Sequence, residues 1–120
     1  MQRILIVEDE SLIAWSMQSF LKASGYNVVG IVATGEEAVQ CAAREAVDMV
    51  IMDINLMGKM NGIQASRLIR QKKNIPVLFV SGNKPDEISQ YLEETSVCDY
   101  LAKPVDMENL VARLHSMLPA

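Results

Sequence analysis

In DMVIMDINLMG, residues 48–58, four apolar residues from Met49 to Met52 run directly into the carboxylate of Asp53. A run that is apolar at every position reads as a strand covered on both faces, since a half-exposed strand would alternate. An ionised side chain at the end of such a strand is costly unless a charge or hydrogen bonds compensate it. The surrounding sequence has to supply that compensation.

Four similar short runs flank this one: RILIV (3–7), NVVGIV (27–32), PVLFV (76–80) and VCDYL (97–101), with DMVIM (48–52) as the third of five. Each is followed by a longer helix-like stretch. In the first, Ile13, Met17, Phe20 and Leu21 share a helical face and Gly25 supplies a left-handed stop. Thr34 and Glu37 form a capping-box pattern ahead of the second. The third spans about 61–72 and the fourth about 85–94, where Pro85 suits a first turn. Asp106 can cap the last, whose face carries Met107, Leu110, Val111, Leu114 and Leu118. Alternation of this kind predicts an α/β fold, a doubly wound parallel sheet with right-handed crossovers.

Ligands of such sheets sit beyond the carboxyl ends of the strands, where strand order reverses. The residues there are Glu8, Asp9 and Glu10 after the first run, Asp53 and Asn55 after the third, Ser81 after the fourth, and Lys103 with Pro104 after the fifth. With strand order 2-1-3-4-5, the first and third strands are neighbours, and Glu8, Asp9 and Asp53 converge. Three carboxylates that close need a cation, and Mg²⁺ suits a site with few carboxylates and a phosphate oxygen. Lys103 offers a compact charge and Ser81 a hydroxyl for phosphoryl oxygens. Asp53 then reads as a nucleophile that forms an aspartyl phosphate.

Composition narrows the field further. At 120 residues the chain, 1–120, is expected to be one domain with one core. No apolar run approaches the roughly 20 residues of a membrane span, and the N-terminus lacks a secretory cleavage pattern, so a cytoplasmic protein with no membrane partner is expected. A net charge of −4 argues against direct nucleic-acid binding. Cys41 and Cys98 sit in apolar segments and read as small buried hydrophobes of a reducing compartment. His115 reads as a surface group near a helix C-terminus, Trp15 as packing or surface, Lys72 and Lys73 as a solvated helix end. Met57 and Met60 suit either loop packing or an adaptable partner surface.

The blocks ILIVEDE, VIMDINL, LFVSGN and DYLAKPVD, in this order and spacing, resemble the receiver domain of two-component response regulators, and the resemblance covers essentially the whole chain. It implies a flavodoxin-like (βα)5 fold and a phosphorylation-dependent switch in which Asp53 accepts a phosphoryl group from a sensor histidine kinase or phosphotransfer protein. It also implies Mg²⁺ held by Asp9, Asp53 and the main-chain carbonyl of Asn55, with Glu8 acting directly or through water. Lys103 would pair with the phosphoryl group, and the Lys103–Pro104 bond is expected to be cis. Ser81 and Tyr100 would be the switch pair, the hydroxyl moving to the phosphoryl group and the ring turning inward, so that the surface of the fourth helix, fifth strand and fifth helix changes. A phosphorylation-dependent homodimer is compatible with this.

Two departures bear on the site. Many receivers carry Asp where Glu8 stands, and the stretch DINLMGKMNG is one residue longer than the usual loop and lacks its proline. Asn55 and Asn83, each two positions beyond a site residue, are expected to flank the path of attacking water. Taken singly, Asp9 reads equally as a helix cap, Asp53 as a turn former, and Lys103 as a solvated charge. A small Asp-nucleophile phosphatase would want a second acid where Asn55 stands, and a flavodoxin would want a hydroxyl- and Gly-rich loop where the chain has VEDES. A receiver-like scaffold independent of phosphorylation is the remaining alternative. No output domain is expected within these 120 residues, which are either a stand-alone receiver or part of a longer protein.

Overall fold

The computed structural model describes residues 2–82, 86–95 and 97–118; Asn83 and Pro85 therefore lie outside the described residues. Five strands and five helices alternate: β1 Arg3–Val7, α1 Ser11–Ala23, β2 Asn27–Val32, α2 Gly35–Arg44, β3 Met49–Asp53, α3 Gly62–Lys72, β4 Val77–Ser81, α4 Asp86–Glu94, β5 Asp99–Ala102 and α5 Met107–Met117. The strands form one parallel sheet in the order β2-β1-β3-β4-β5. This is the flavodoxin-like (βα)5 arrangement.

Strand alternation sorts the core into two layers. Ile4, Ile6, Met49, Ile51, Leu78 and Val80 face α1 and α5, meeting Met17, Leu21, Leu110 and Leu114. Leu5, Val7, Val50, Met52, Val77 and Phe79 face the other side, meeting Ala38, Cys41, Ile63, Ile69, Ile88 and Tyr91. Every residue of β3 and β4 is buried, whereas β2 and β5, at the sheet edges, are mostly half-buried. Burial of each large aliphatic side chain is worth about 1.5–3 kcal/mol, so the central strands are the best-anchored platform available for a site.

Three strands are shifted from their expected bounds. Asp48 precedes β3, its amide donating to Arg3 O and its carboxylate accepting from the Arg3 amide. Pro76 has no N–H for the ladder and contributes only its carbonyl, to the Val50 amide. Cys98 turns back onto Thr95 O, which delays β5 to Asp99. At the other end the ladder continues one residue further, pairing Asp53 with Val80 and Ser81 with Ala102. Asp53 and Ser81 are thus the last residues of their strands, held by sheet geometry.

Helix ends follow local chemistry. Gly25, at φ +94°, completes a Schellman stop with Tyr26 N–H on Leu21 O and Gly25 N–H on Lys22 O. Thr34 caps α2 by accepting from the Glu37 amide, but Glu37 bonds the Thr34 hydroxyl in place of its backbone, so the expected box is half formed. A complete box stands instead at Asn61 and Gln64. Asp106 caps α5 through the Glu108 amide. The N-cap of α1 is Glu10, with no side-chain cap bond, which removes the reading of Asp9 as a cap.

Candidate phosphoacceptor and metal site

The switch point lies between β1 and β3, and both strands end there in acids. Glu8 follows β1 directly, with its amide on Val32 O, and Asp9 follows it. Carboxylate oxygens of Glu8, Asp9 and Asp53 lie within 4.8 Å of one another. Glu8 and Asp53 are each only 3% exposed, and Asp9 is half-buried. Lys103, delivered by the turn after β5, places its ammonium 2.9 Å from Glu8 Oε1 and 3.0 Å from Asp53 Oδ2. Its amide donates to Ser81 O, and the Lys103–Pro104 bond is cis, as expected.

Electrostatics follow from this crowding. Burial, with Asp53 as neighbour, pushes the Glu8 carboxyl up from 4.5 to about 7 against the lowering effect of Lys103. Burial would pull the Lys103 ammonium down, but the bonds to Glu8 and Asp53 and their charges outweigh it and raise it. One cation thus serves two buried acids, and the balance is incomplete. Glu8 Oε2 is buried with no hydrogen-bond partner among the described residues. Three converging oxygen donors with an orphaned carboxylate oxygen fit a hard divalent cation such as Mg²⁺.

The remaining predicted residues are brought to the same place. The Asn55 amide N–H donates to Asp53 Oδ1 at 3.1 Å, so different donors hold the two oxygens of Asp53. The Asn55 side chain reaches across to β4, its amide nitrogen donating to Ser81 Oγ at 3.2 Å. Tyr100 donates from its hydroxyl to Ser81 O at 3.0 Å, so the ring is already tied to β4 in this structure. Sequence reasoning assigned Asn55 through its carbonyl and its place near attacking water; the side-chain link to Ser81 was invisible because a loop fixes its direction. Gly62 closes the stretch DINLMGKMNG. It packs so tightly beneath the site that a Cβ would overlap the Asp53 main-chain oxygen and approach Met52 Cγ to 2.8 Å.

Trp15 and Leu12 are more exposed than packing requires, at 64% and 82%, and line a cleft with Glu8, Asp9 and Ile31. Cys41 and Cys98 are free and buried. Among the described residues no helix is long and apolar enough to cross a membrane.

Comparison with known proteins gives a consistent answer. Residues 4–115 match the family described as response regulator receiver domain. The transcriptional regulatory protein PdtaR of Mycobacterium tuberculosis is 32% identical over 110 residues, 92% of this chain and 53% of PdtaR. The aerobic respiration control protein ArcA of Escherichia coli K12 is 35% identical over 116 residues, 96% of this chain and 48% of ArcA. The chain therefore spans about half the length of these curated relatives. Among solved structures, the receiver domain of sensor histidine kinase PA1611 from Pseudomonas aeruginosa PAO1, with a magnesium ion coordinated in its active-site cleft, superposes with a TM-score of 0.83. It is 31% identical, with 97% of this chain and 96% of that one covered.

Proposed function

Because the chain belongs to the response regulator receiver domain family, we propose that residues 1–120 form one phosphorylation-dependent signalling switch with Asp53 as phosphoacceptor. The donor is a phosphohistidine on a sensor histidine kinase or phosphotransfer protein. An Asp53 oxygen attacks phosphorus, the bond from phosphorus to the donor imidazole nitrogen breaks, and the imidazole leaves with the electron pair. The protein contributes chiefly position and charge. The observation that carries this reading is the Lys103 ammonium shared between Glu8 and Asp53, a cation already in place for phosphoryl oxygens.

Glu8, Asp9, Asp53 and the Asn55 carbonyl would hold Mg²⁺, which when bound supplies charge neutralisation for the phosphoryl group. Lys103 stays on the acyl phosphate oxygens, and the Asn55 amide keeps the Asp53 carboxyl oriented. The Ser81 hydroxyl leaves the Asn55 side chain for a phosphoryl oxygen. Tyr100, anchored on the Ser81 main chain, moves with it and alters the α4–β5–α5 surface, through which a phosphorylation-dependent homodimer or a downstream target is recognised. Water returns Asp53 to its free form, so turnover is limited to self-catalysed phosphorylation and dephosphorylation. The setting proposed is the cytoplasm.

The donor must bring its histidine over the acid cluster, so its surface covers the rim where exposed Leu12 and Trp15 stand beside Glu8 and Asp9. Intact-mass measurement after incubation with acetyl phosphate tests the reaction. One phosphoryl adduct is expected with Mg²⁺ and none with excess chelator. Absence of an adduct under both conditions would refute the reading.

A further inference from the structure

The segment between β3 and α3, residues 54–61, is the lengthened, proline-free loop, and it carries Asn55. Its base is closed by the Gly62 amide on Ile54 O at 2.9 Å. Above that base the arc 55–60 is held at its start by Asn55, on Asp53 and Ser81. The first turn of α2 restrains this arc. Thr34 pairs with Met57 in an isolated parallel bridge. The Met60 amide donates to Glu36 Oε1 at 3.2 Å. Gly58 takes φ +97°, and a Cβ there would stand 2.7 Å from Glu36 Oε2, so glycine alone lets the arc close on this carboxylate. Gly35 leaves room for Met60 in the same way, a Cβ there lying 2.5 Å from Met60 Cγ.

Glu36 is outside the acid cluster, and nothing in the chemistry above uses it. We propose that Glu36 is a positioning residue for the phosphoacceptor site, its carboxylate holding the β3–α3 loop in the shape that keeps Asn55 on both Asp53 and Ser81. The inference rests on the phosphoacceptor reading and adds a regulator of its geometry. A half-buried acceptor oxygen of this reach, tied to a loop amide, replaces the stiffness a proline would have given. Acidity here also suits the helix dipole, so the test must separate position from charge.

The full chain is compared with E36A and E36Q by Mg²⁺ titration calorimetry and by amide hydrogen exchange. Loss of one hydrogen bond predicts Mg²⁺ affinity about fivefold weaker in E36A, with faster exchange at Asn55 and Met60. Gln keeps an acceptor oxygen of the same reach, so E36Q should lie within about twofold of the parent on both readings. Parent-like Mg²⁺ affinity and exchange in E36A would overturn the proposal. So would E36Q as weak as E36A, since charge and not position would then be responsible. A parent that binds no Mg²⁺ would count against the phosphoacceptor reading itself, and the exchange of the Asn55 and Met60 amides would then decide the role of Glu36 alone.

Discussion

Lys103 pairs with both Glu8 and Asp53, and in the proposed reaction the same charge has to serve a phosphoryl group. Replacing it with Gln should slow adduct formation from acetyl phosphate by about 10²-fold, the usual loss for one donor to a developing anion. Mg²⁺ affinity should not fall in the same variant, because a competing cation has gone; calorimetry checks this. Glu8 sets a pH dependence of the opposite sign to a normal salt bridge. Its folded carboxyl, at about 7, binds a proton that the unfolded chain has released above 4.5. Stability of the metal-free protein is therefore greatest below 4.5 with respect to this group, and declines as pH rises towards 7 and just beyond, by roughly 3 kcal/mol. Denaturant melts across that range should show the slope, and Glu8→Gln should flatten it.

The strands and helices turn these residues into a site. Five apolar runs were enough to place the strands, and the acids, Ser81 and Lys103 could be assigned to the carboxyl ends from position alone. Register was less legible. Whether Cys98 belonged to β5 depended on a turn bond to Thr95 O, and whether Asp53 lay inside β3 depended on a ladder partner in β4. The Asn61–Gln64 box had a readable N-x-x-Q pattern, whereas the Asn55 link to Ser81 spans 26 residues and leaves no local trace. Gly62 shows the coupling of element to site most plainly. A methyl group at the first turn of α3 must displace either the Asp53 carbonyl or Met52. Gly62→Ala should cost about 1–3 kcal/mol by overpacking and lower adduct yield as β3 shifts, which melts and intact mass together would read.

For the molecule as a whole, the acid cluster sits between β1 and β3, and the Tyr100 hydroxyl on Ser81 O ties β5 to β4; in the proposed switch this link carries a change at the cluster across to β5. α4 is anchored by Tyr91, which meets Phe79 edge-on at 5.8 Å and shares a 2.9 Å hydrogen bond with Ser66. Its C-terminal half is thus fixed to α3 and β4. On the opposite rim, the exposed Leu12 and Trp15 are proposed to seat the protein donor. Leu12→Ala with Trp15→Ala should weaken transfer from a phosphohistidine protein by about tenfold, as loss of central apolar anchors does, while leaving acetyl phosphate reactivity unchanged.

Every step above depends on Asp53 receiving the phosphoryl group. Borohydride reduces an acyl phosphate to the alcohol, so treatment of the acetyl phosphate-labelled chain followed by peptide mass mapping locates the bond. Homoserine is expected at position 53, with no reducible adduct on Asp53→Asn. A phosphoryl group on another side chain, or an adduct of equal yield on Asp53→Asn, would contradict it.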